Sequence, residues 1–270
     1  MTFIGTTELA VRLDDPSVRI VDVRWTLDDP NAGERAYASG HLPGAVYLSW
    51  LRDLSDPSDP VEGQLAPPEQ FARVLGKAGI GPDTTVVAYD DGRIFMAARL
   101  AWALRHYGHA DVRILDGGYP AWEREGRSIS TDEPAVPPRA YPVPPAGGLR
   151  ATKEDVLAAL GSGDTTIVDC RMDETYDAAG AHIPGATRLP APHLFDDGGL
   201  LRDPHALRDL AAAADVAPDR PTILYCGGGI SASAAYVTLS ELGHDGLTVY
   251  DGSWTEWSAD PATPRERHTG

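Results

Sequence analysis

Short runs of β-branched and apolar residues alternate along the chain with longer stretches whose apolar positions recur at helical spacing. The strand-like runs are VRIVDV, TTVVAY and VRILD in the first half, and TTIVDC, PTILY and LTVYD in the second. Helix-like stretches such as PEQFARVLGKAG and ATKEDVLAALGSG separate them, and Thr152 is placed to cap the second of these. Strands spaced by helices predict an α/β fold with a mostly parallel sheet flanked by helices.

The same landmarks occur twice in the same order, which indicates an internal duplication. IVDVRW at 20–25 and GHLPGAVYL at 40–48 match IVDCR at 167–171 and AHIPGATRL at 181–189. Further along, VVAYDDG matches TILYCGG, Gly-His matches Gly-His, and DGGYPAW matches DGSWTEW. We therefore predict two tandem domains, 1–126 and 150–270, joined by an extended Pro-rich linker at 127–149, with a frayed tail at 261–270.

Composition and charge narrow the class of protein. The 270 residues are 42% apolar and carry a formal net charge of −17, with no Lys/Arg stripe, so the sequence predicts no nucleic-acid partner. No apolar stretch reaches the length of a membrane span, and the N-terminus lacks the pattern of a secretory signal. Two cysteines are too few for a disulfide scaffold, which favours a reducing, cytoplasmic location.

The loop after the strand TILY carries the candidate nucleophile, Cys226. Gly227, Gly228, Gly229, Ile230 and Ser231 follow it and lead into a helix. Backbone N–H groups of a glycine-rich turn before a helix form a cradle for an anion, which favours a thiolate over a thiol. The same cradle is suited to the terminal sulfur of a persulfide.

The duplication supplies an internal comparison for both cysteines. Aligning Tyr89 with Tyr225 places Asp90 opposite Cys226, and a carboxylate cannot accept a sulfur atom, so the first domain is predicted to be catalytically silent. Cys170 ends the strand TTIVDC where the first half has Val23, which favours the role of a small buried apolar residue. One active site per chain follows.

The chain resembles the tandem-domain rhodanese family, the thiosulfate and 3-mercaptopyruvate sulfurtransferases. The resemblance rests on VDVR/VDCR, GHLPGA/AHIPGA, YDDGRIFMAARLAW, LDGGYPAW and CGGGIS, and it covers nearly the whole chain. It implies that Cys226 takes a sulfane sulfur as a persulfide and passes it to a thiol or cyanide. It implies no metal or organic cofactor.

Departures from the family pattern leave the sulfur donor open. Family members that use thiosulfate usually carry two cations where Gly227 and Gly228 stand, and mercaptopyruvate enzymes usually have a serine at the position of Gly228. Both groups usually have an arginine where Thr175 precedes Tyr176, and the short segment before His182 lacks the second substrate arginine of the mercaptopyruvate enzymes. The glycine directly after the cysteine favours the mercaptopyruvate branch.

Several other polar residues recur at matching positions. His41 and His182 precede the Pro-Gly turns, and ring nitrogens bonded to nearby backbone explain them more simply than acid–base catalysis. The repeated D-x-R motif predicts an ion pair between a buried carboxylate and an arginine, and core packing explains the two tryptophans that end the DG motifs. The candidate substrate contacts are His41, Arg93 and Arg188; the predicted pairs are Asp22 with Arg24 and Asp169 with Arg171; the two tryptophans are Trp122 and Trp257.

Two other functions are compatible with parts of the pattern. A cysteine phosphatase or arsenate reductase on the same fold needs a C-x5-R loop around its oxyanion, whereas Ala232 lies six positions after Cys226. A protein sulfur carrier or partner-binding module would show little turnover of small molecules. Retention of Cys226 argues against a pure binding module, and turnover with a small donor distinguishes a carrier from an enzyme.

Overall fold

The computed structural model describes residues 2–109, 111–145, 147–196 and 199–268. The chain divides into two compact units, 1–147 and 148–270. In each unit, a five-stranded parallel sheet is flanked by helices, as the alternation of strands and helices predicts.

In the sheet of the first unit, β1 lies at one edge and β4 is the central strand. The sheet order is β1-β5-β4-β2-β3, and every pairing is parallel. The elements are β1 Phe3–Ile4, α1 Thr6–Ala10, β2 Val18–Asp22, α2 Ala32–Ser39, β3 Val46–Tyr47, α3 Trp50–Asp53, α4 Pro68–Lys77, β4 Thr85–Tyr89, α5 Phe95–His106, β5 Val112–Leu115 and α6 Gly118–Arg124.

The second unit repeats this topology with the sheet order β6-β11-β10-β7-β9, again all parallel. Its elements are β6 Arg150–Ala151, α7 Lys153–Ser162, β7 Thr166–Asp169, α8 Asp173–Ala179, β8 Ala181–His182, β9 Thr187–Arg188, the 3-10 helix Ala191–Leu194, α9 Pro204–Ala213, β10 Thr222–Tyr225, α10 Ile230–Glu241, β11 Leu247–Tyr250, α11 Ser253–Ala259 and β12 Glu266–Arg267. Thr152 caps α7 in a reciprocal capping box with Asp155, as predicted.

The D-x-R motif fixes the carboxyl ends of the strands in both units. Arg171 and Asp169 form a buried ion pair, and the Tyr225 hydroxyl donates to Asp169 Oδ2 at 2.6 Å. The Ile183 backbone N–H in turn donates to the Tyr225 hydroxyl at 3.2 Å. The network explains why the duplicated D-x-R and H-x-P-G-A motifs occur together. Arg24, Asp22, Tyr89 and Leu42 repeat this network in the first unit.

A cluster of buried apolar side chains forms part of the core of each unit. In the first unit Ile20, Val87 and Trp122 share one buried cluster, and in the second unit Ile223 and Trp257 do so. Both tryptophans are at most 1% exposed, which confirms their predicted packing role. Burial of large aromatic and aliphatic surfaces provides most of the driving force for each fold.

The Pro-rich segment, predicted to be an extended linker, also makes specific contacts with the rest of the first unit. Ser130 pairs with His41 in an antiparallel bridge, and the Arg139 N–H donates to the Gly76 carbonyl at 2.9 Å. The Arg139 guanidinium also pairs with Asp83. Proline restricts the backbone, so the segment binds along the first unit at little entropic cost.

The C-terminal tail is also more ordered than predicted. Glu266–Arg267 pair antiparallel with Ala181–His182, and the His268 ring stacks on Tyr176 with 3.9 Å between centroids. Thr269 and Gly270 lie outside the described residues. Across the described part of the chain, no helix combines the length and apolar character that crossing a membrane requires.

Candidate active site

The central strand of the second unit ends directly at the candidate nucleophile. Cys226 follows β10, and residues 226–229, here called the Cys226 loop, connect it to α10. Cys226 is 2% exposed, and Gly229 has a φ of +80°, a conformation that favours glycine. The helix begins at Ile230, so the prediction that it starts after Ser231 is wrong, and Ile230 and Ser231 belong to its first turn.

The start of α11 holds the backbone of the Cys226 loop by four hydrogen bonds. The Cys226 N–H donates to Ser253 Oγ at 3.1 Å, and the Cys226 carbonyl accepts from the Trp254 N–H at 3.0 Å. The Gly227 carbonyl accepts from the N–H of Thr255 at 3.0 Å and from its hydroxyl at 2.7 Å. Two carbonyls of a flexible glycine-rich loop are thereby fixed.

These contacts also set the direction of the loop's N–H groups. In a planar trans peptide the C=O and the N–H point in opposite directions. Because the carbonyls of Cys226 and Gly227 face α11, the N–H groups of Gly227 and Gly228 point away from it. The loop therefore presents donors on the side opposite α11, as an anion cradle requires.

The first unit shows what such a loop holds when the cysteine is replaced. The carboxylate of Asp90 is 1% exposed and lies within residues 90–94, here called the Asp90 loop. It accepts four backbone hydrogen bonds of 3.0–3.1 Å, from the N–H groups of Gly92, Ile94, Met96 and Ala97. A negatively charged group thus occupies the space before α5.

Burial raises the pKa of Asp90 from 3.8 to about 6, with a contribution from the neighbouring Asp91 carboxylate. The backbone donors act in the opposite direction and lower the pKa.

The two loops differ in length by one residue. Five residues separate β4 from α5, whereas four separate β10 from α10. In the first unit Gly118 has a φ of +54°, and a Cβ there would lie 2.6 Å from the Asp90 carbonyl oxygen. At the matching position of the second unit Ser253 adopts a φ of +51°, which is unfavourable for a residue other than glycine. The Ser253 hydroxyl oxygen accepts the Cys226 backbone N–H, so this residue fixes the backbone of the nucleophile.

Aromatic and cationic side chains lie beside the Cys226 loop. The Arg171 guanidinium lies over the Trp254 ring, 4.5 Å from its centroid. Arg188 stacks on Tyr176 at 3.7 Å, and it forms an ion pair with Asp173. Arg188 is therefore held by local partners, and its predicted contact with a substrate anion stays a prediction.

The remaining predicted residues lie in different settings. His41 is fully buried, with Nδ1 2.8 Å from the Tyr37 carbonyl and Nε2 3.1 Å from that of Asp132, as the simpler interpretation requires. Arg93 is exposed on the Asp90 loop. His182 lies near Tyr176 and Glu266, and burial lowers its pKa.

The residues that hold the Cys226 loop are not among those predicted for the site; they are Ser253, Trp254 and Thr255. The DGSWTEW repeat contains all three and carries their signal, although core packing alone explains its final tryptophan. A non-glycine residue in the position of the second glycine of DGG is the specific feature that marks Ser253.

A phosphatase of this fold has an arginine six residues after its cysteine, and the residue at that position here is Ala232. Ala232 is fully buried within α10, so the loop has no such cation. Among the residues that the structure describes, no group of three or more His, Cys, Asp or Glu side chains is arranged to hold a metal ion.

Comparison with known proteins places these features in a family. A family model for the rhodanese-like domain matches residues 6–125 and again residues 152–260. SseB of Mycobacterium tuberculosis, named as a thiosulfate sulfurtransferase, is 36% identical over 98% of this chain and 97% of its own length.

Two further similarities come from a sulfur carrier and a solved structure. The sulfur carrier protein TtuD of Thermus thermophilus is 32% identical over 94% of this chain and 92% of its own length. The crystal structure of SseA from Escherichia coli, a 3-mercaptopyruvate sulfurtransferase, superimposes with a TM-score of 0.84 at 31% identity. It covers 94% of this chain and 99% of SseA.

Proposed function

The chain belongs to the rhodanese family, with two rhodanese-like domains, and from this we propose that Cys226 carries sulfur between small molecules. The protein is a sulfurtransferase that takes a sulfane sulfur from thiosulfate or 3-mercaptopyruvate. It delivers the sulfur to a thiol or cyanide through a persulfide on Cys226. We also propose a cytoplasmic location, because a reducing compartment protects Cys226 from oxidation to a disulfide.

The main support for the proposal is the set of hydrogen bonds that the Asp90 carboxylate accepts. In the duplicated loop it accepts four backbone N–H groups, which supports an anion-binding role for the matching space beside Cys226. A thiolate or a persulfide anion in that space replaces the carboxylate as acceptor. Fixed dipoles at a helix start stabilise such an anion, and residues 226–229 themselves contain no lysine or arginine.

The proposed reaction has two steps. The Cys226 thiolate attacks the transferable sulfur of the donor and a new S–S bond forms. With thiosulfate the donor's S–S bond breaks and sulfite leaves; with 3-mercaptopyruvate the C–S bond breaks and pyruvate leaves as its enolate, which takes up a proton. The acceptor thiolate or cyanide then attacks the terminal sulfur, and Cys226 leaves as the thiolate. The loop donors stabilise negative charge on sulfur before and after each step.

The first test detects the persulfide directly. Treatment of the reduced protein with thiosulfate or 3-mercaptopyruvate should add about 32 Da, one sulfur atom, which cyanide removes. Peptide mapping should place the added sulfur on Cys226. An adduct mapped to Cys170, or no adduct, would contradict the proposal.

The choice of donor is testable at Gly228. A Cβ at this position meets no atom within 4 Å, so serine fits without displacing a neighbour. Gly228→Ser is expected to raise kcat/KM for 3-mercaptopyruvate about tenfold more than for thiosulfate, because its hydroxyl donates to developing charge. Gly228→Ala is the matched control, since it adds the methyl group without the hydroxyl. A larger gain in kcat/KM with thiosulfate than with 3-mercaptopyruvate would overturn the proposed role of this position in the choice of donor.

A protein sulfur carrier is the second candidate, favoured by the similarity to TtuD. A carrier accepts sulfur once and waits for a protein partner, whereas an enzyme turns over with small molecules. Multiple turnovers with dithiothreitol or cyanide as acceptor identify the enzyme. A single burst of one product per Cys226 identifies the carrier.

A further inference from the structure

Cys170 and Cys226 follow directly after the ends of two adjacent strands of the second unit. β7 ends at Asp169 and β10 ends at Tyr225, and these two residues are the last parallel pair between the strands. The Cys170 N–H completes the hydrogen bonds of that pair by donating to the Tyr225 carbonyl at 2.7 Å. The two cysteines therefore leave the sheet side by side.

Both thiols project from the same face of the sheet. Successive side chains along a strand point to opposite faces, and the Tyr225 hydroxyl meets the Asp169 carboxylate on one of them. The side chains that follow these two residues therefore share the other face. Facing residues on neighbouring strands lie about 4.8 Å apart, which is within the Cα range of about 4.4–6.8 Å that disulfides span.

Both thiols of this pair are buried, and the chain contains no other cysteine. Cys170 is fully buried, Cys226 is 2% exposed, and both are free thiols. Burial raises the pKa of Cys170 well above its usual value, and negative charge on Cys226 raises it further. In the first unit Val23 and Asp90 take the two positions, so the pair exists only beside the nucleophile.

We propose that Cys170 is a resolving thiol that forms a disulfide with Cys226 when a hydroperoxide oxidises the nucleophile. The Cys226 thiolate takes one oxygen from the peroxide and becomes a sulfenic acid, while the peroxide is reduced to water or an alcohol. The Cys170 sulfur then attacks the Cys226 sulfur, the S–O bond breaks, and the hydroxyl leaves as water with the Cys170 proton. A dithiol reductant restores both thiols.

The disulfide protects the nucleophile from irreversible oxidation. A sulfenic acid without a nearby thiol reacts with further peroxide to the sulfinic acid, which dithiothreitol does not reduce. A buried partner directly after the neighbouring strand competes with this reaction without diffusion. Cys170 thus has a role under oxidising conditions that sulfur transfer itself does not use.

The test compares the wild type with Cys170→Val, which installs the residue of the first unit. Each protein is reduced with dithiothreitol, freed of reductant, kept away from sulfur donors, treated with hydrogen peroxide and analysed by intact mass. The wild type is expected to lose about 2 Da, the two hydrogens of a disulfide, whereas Cys170→Val gains about 32 Da, the two oxygens of a sulfinic acid. Peptide mapping should join Cys170 to Cys226.

Recovery on reduction gives a second readout. After dithiothreitol, Cys226 alkylation by iodoacetamide should return almost fully in the wild type and at least about fivefold less in Cys170→Val. Cys170→Ala serves as a second variant, and circular dichroism checks that both fold. A wild type that gains 32 Da like the variants, with no cross-linked peptide, overturns the proposal. The masses are read without sulfur transfer, so this outcome is independent of the proposed catalytic function.

Discussion

Replacement of Cys226 by serine is expected to lower the rate of sulfur transfer by on the order of a thousandfold or more, because no other group in the loop forms a persulfide. A serine oxygen is far less acidic than a thiol and does not carry a sulfane sulfur. The side chain is small and nearly isosteric, so the four hydrogen bonds between α11 and the loop backbone should persist. Steady-state rates with both donors measure the loss.

The neighbouring cysteine provides the matched control for this prediction. Cys170→Ser is expected to keep most of the activity under reducing conditions, since burial raises the pKa of Cys170 and keeps its thiol protonated. Cys170→Val avoids the cost of a buried hydroxyl and should be at least as active. Equal losses in Cys226→Ser and Cys170→Ser, with both variants folded, would disprove a single nucleophile.

Asp90→Ala is expected to destabilise the first unit by about 3–5 kcal/mol, because it leaves four backbone N–H groups without an acceptor at the start of a buried helix. Asp91→Ala is the control, as it removes an exposed carboxylate from the same loop. Differential scanning calorimetry measures the change in free energy, and hydrogen exchange locates it to residues 90–106. Equal stability of the two variants would show that the carboxylate does not hold the loop.

The same residue predicts a pH dependence. The folded pKa of Asp90, about 6, is higher than its ordinary value of 3.8, so the folded state binds the proton more tightly. The free energy of unfolding should therefore fall as pH rises through this range, by about 1 kcal/mol between pH 5 and 7.5. The Asp90→Ala variant lacks this contribution. A wild type and variant with parallel pH profiles would exclude it.

Much of the architecture follows from local sequence patterns. The apolar runs and the repeated landmarks predict two parallel sheets with Cys226 at a strand end, because strand period, helix spacing and glycine turns are encoded over short windows. Asp90 as the replacement for the cysteine also follows from aligning the two halves. Its four hydrogen bonds do not follow, since they depend on how the backbone turns into α5.

Other features depend on contacts between distant segments. Thr255 meets Gly227 only after β11 has returned the chain to the loop, and no local pattern specifies that hydrogen bond. Ser130 pairs with His41 across about ninety residues, so a Pro-rich composition predicts extension but not attachment. The pairing of Glu266 with His182 escapes prediction for the same reason, because two-residue strands carry no periodic signal.

The extra residue in the Asp90 loop limits the evolutionary paths open to the first unit. An Asp90→Cys substitution places a thiol in a five-residue loop, where Gly118 offers no hydroxyl and Pro120 has no N–H to match Thr255. Matching the Cys226 loop takes a one-residue deletion together with changes at both of these positions, and the Asp90→Cys step itself removes the carboxylate that accepts four backbone N–H groups. The two copies have become specialised by steps that single substitutions do not reverse.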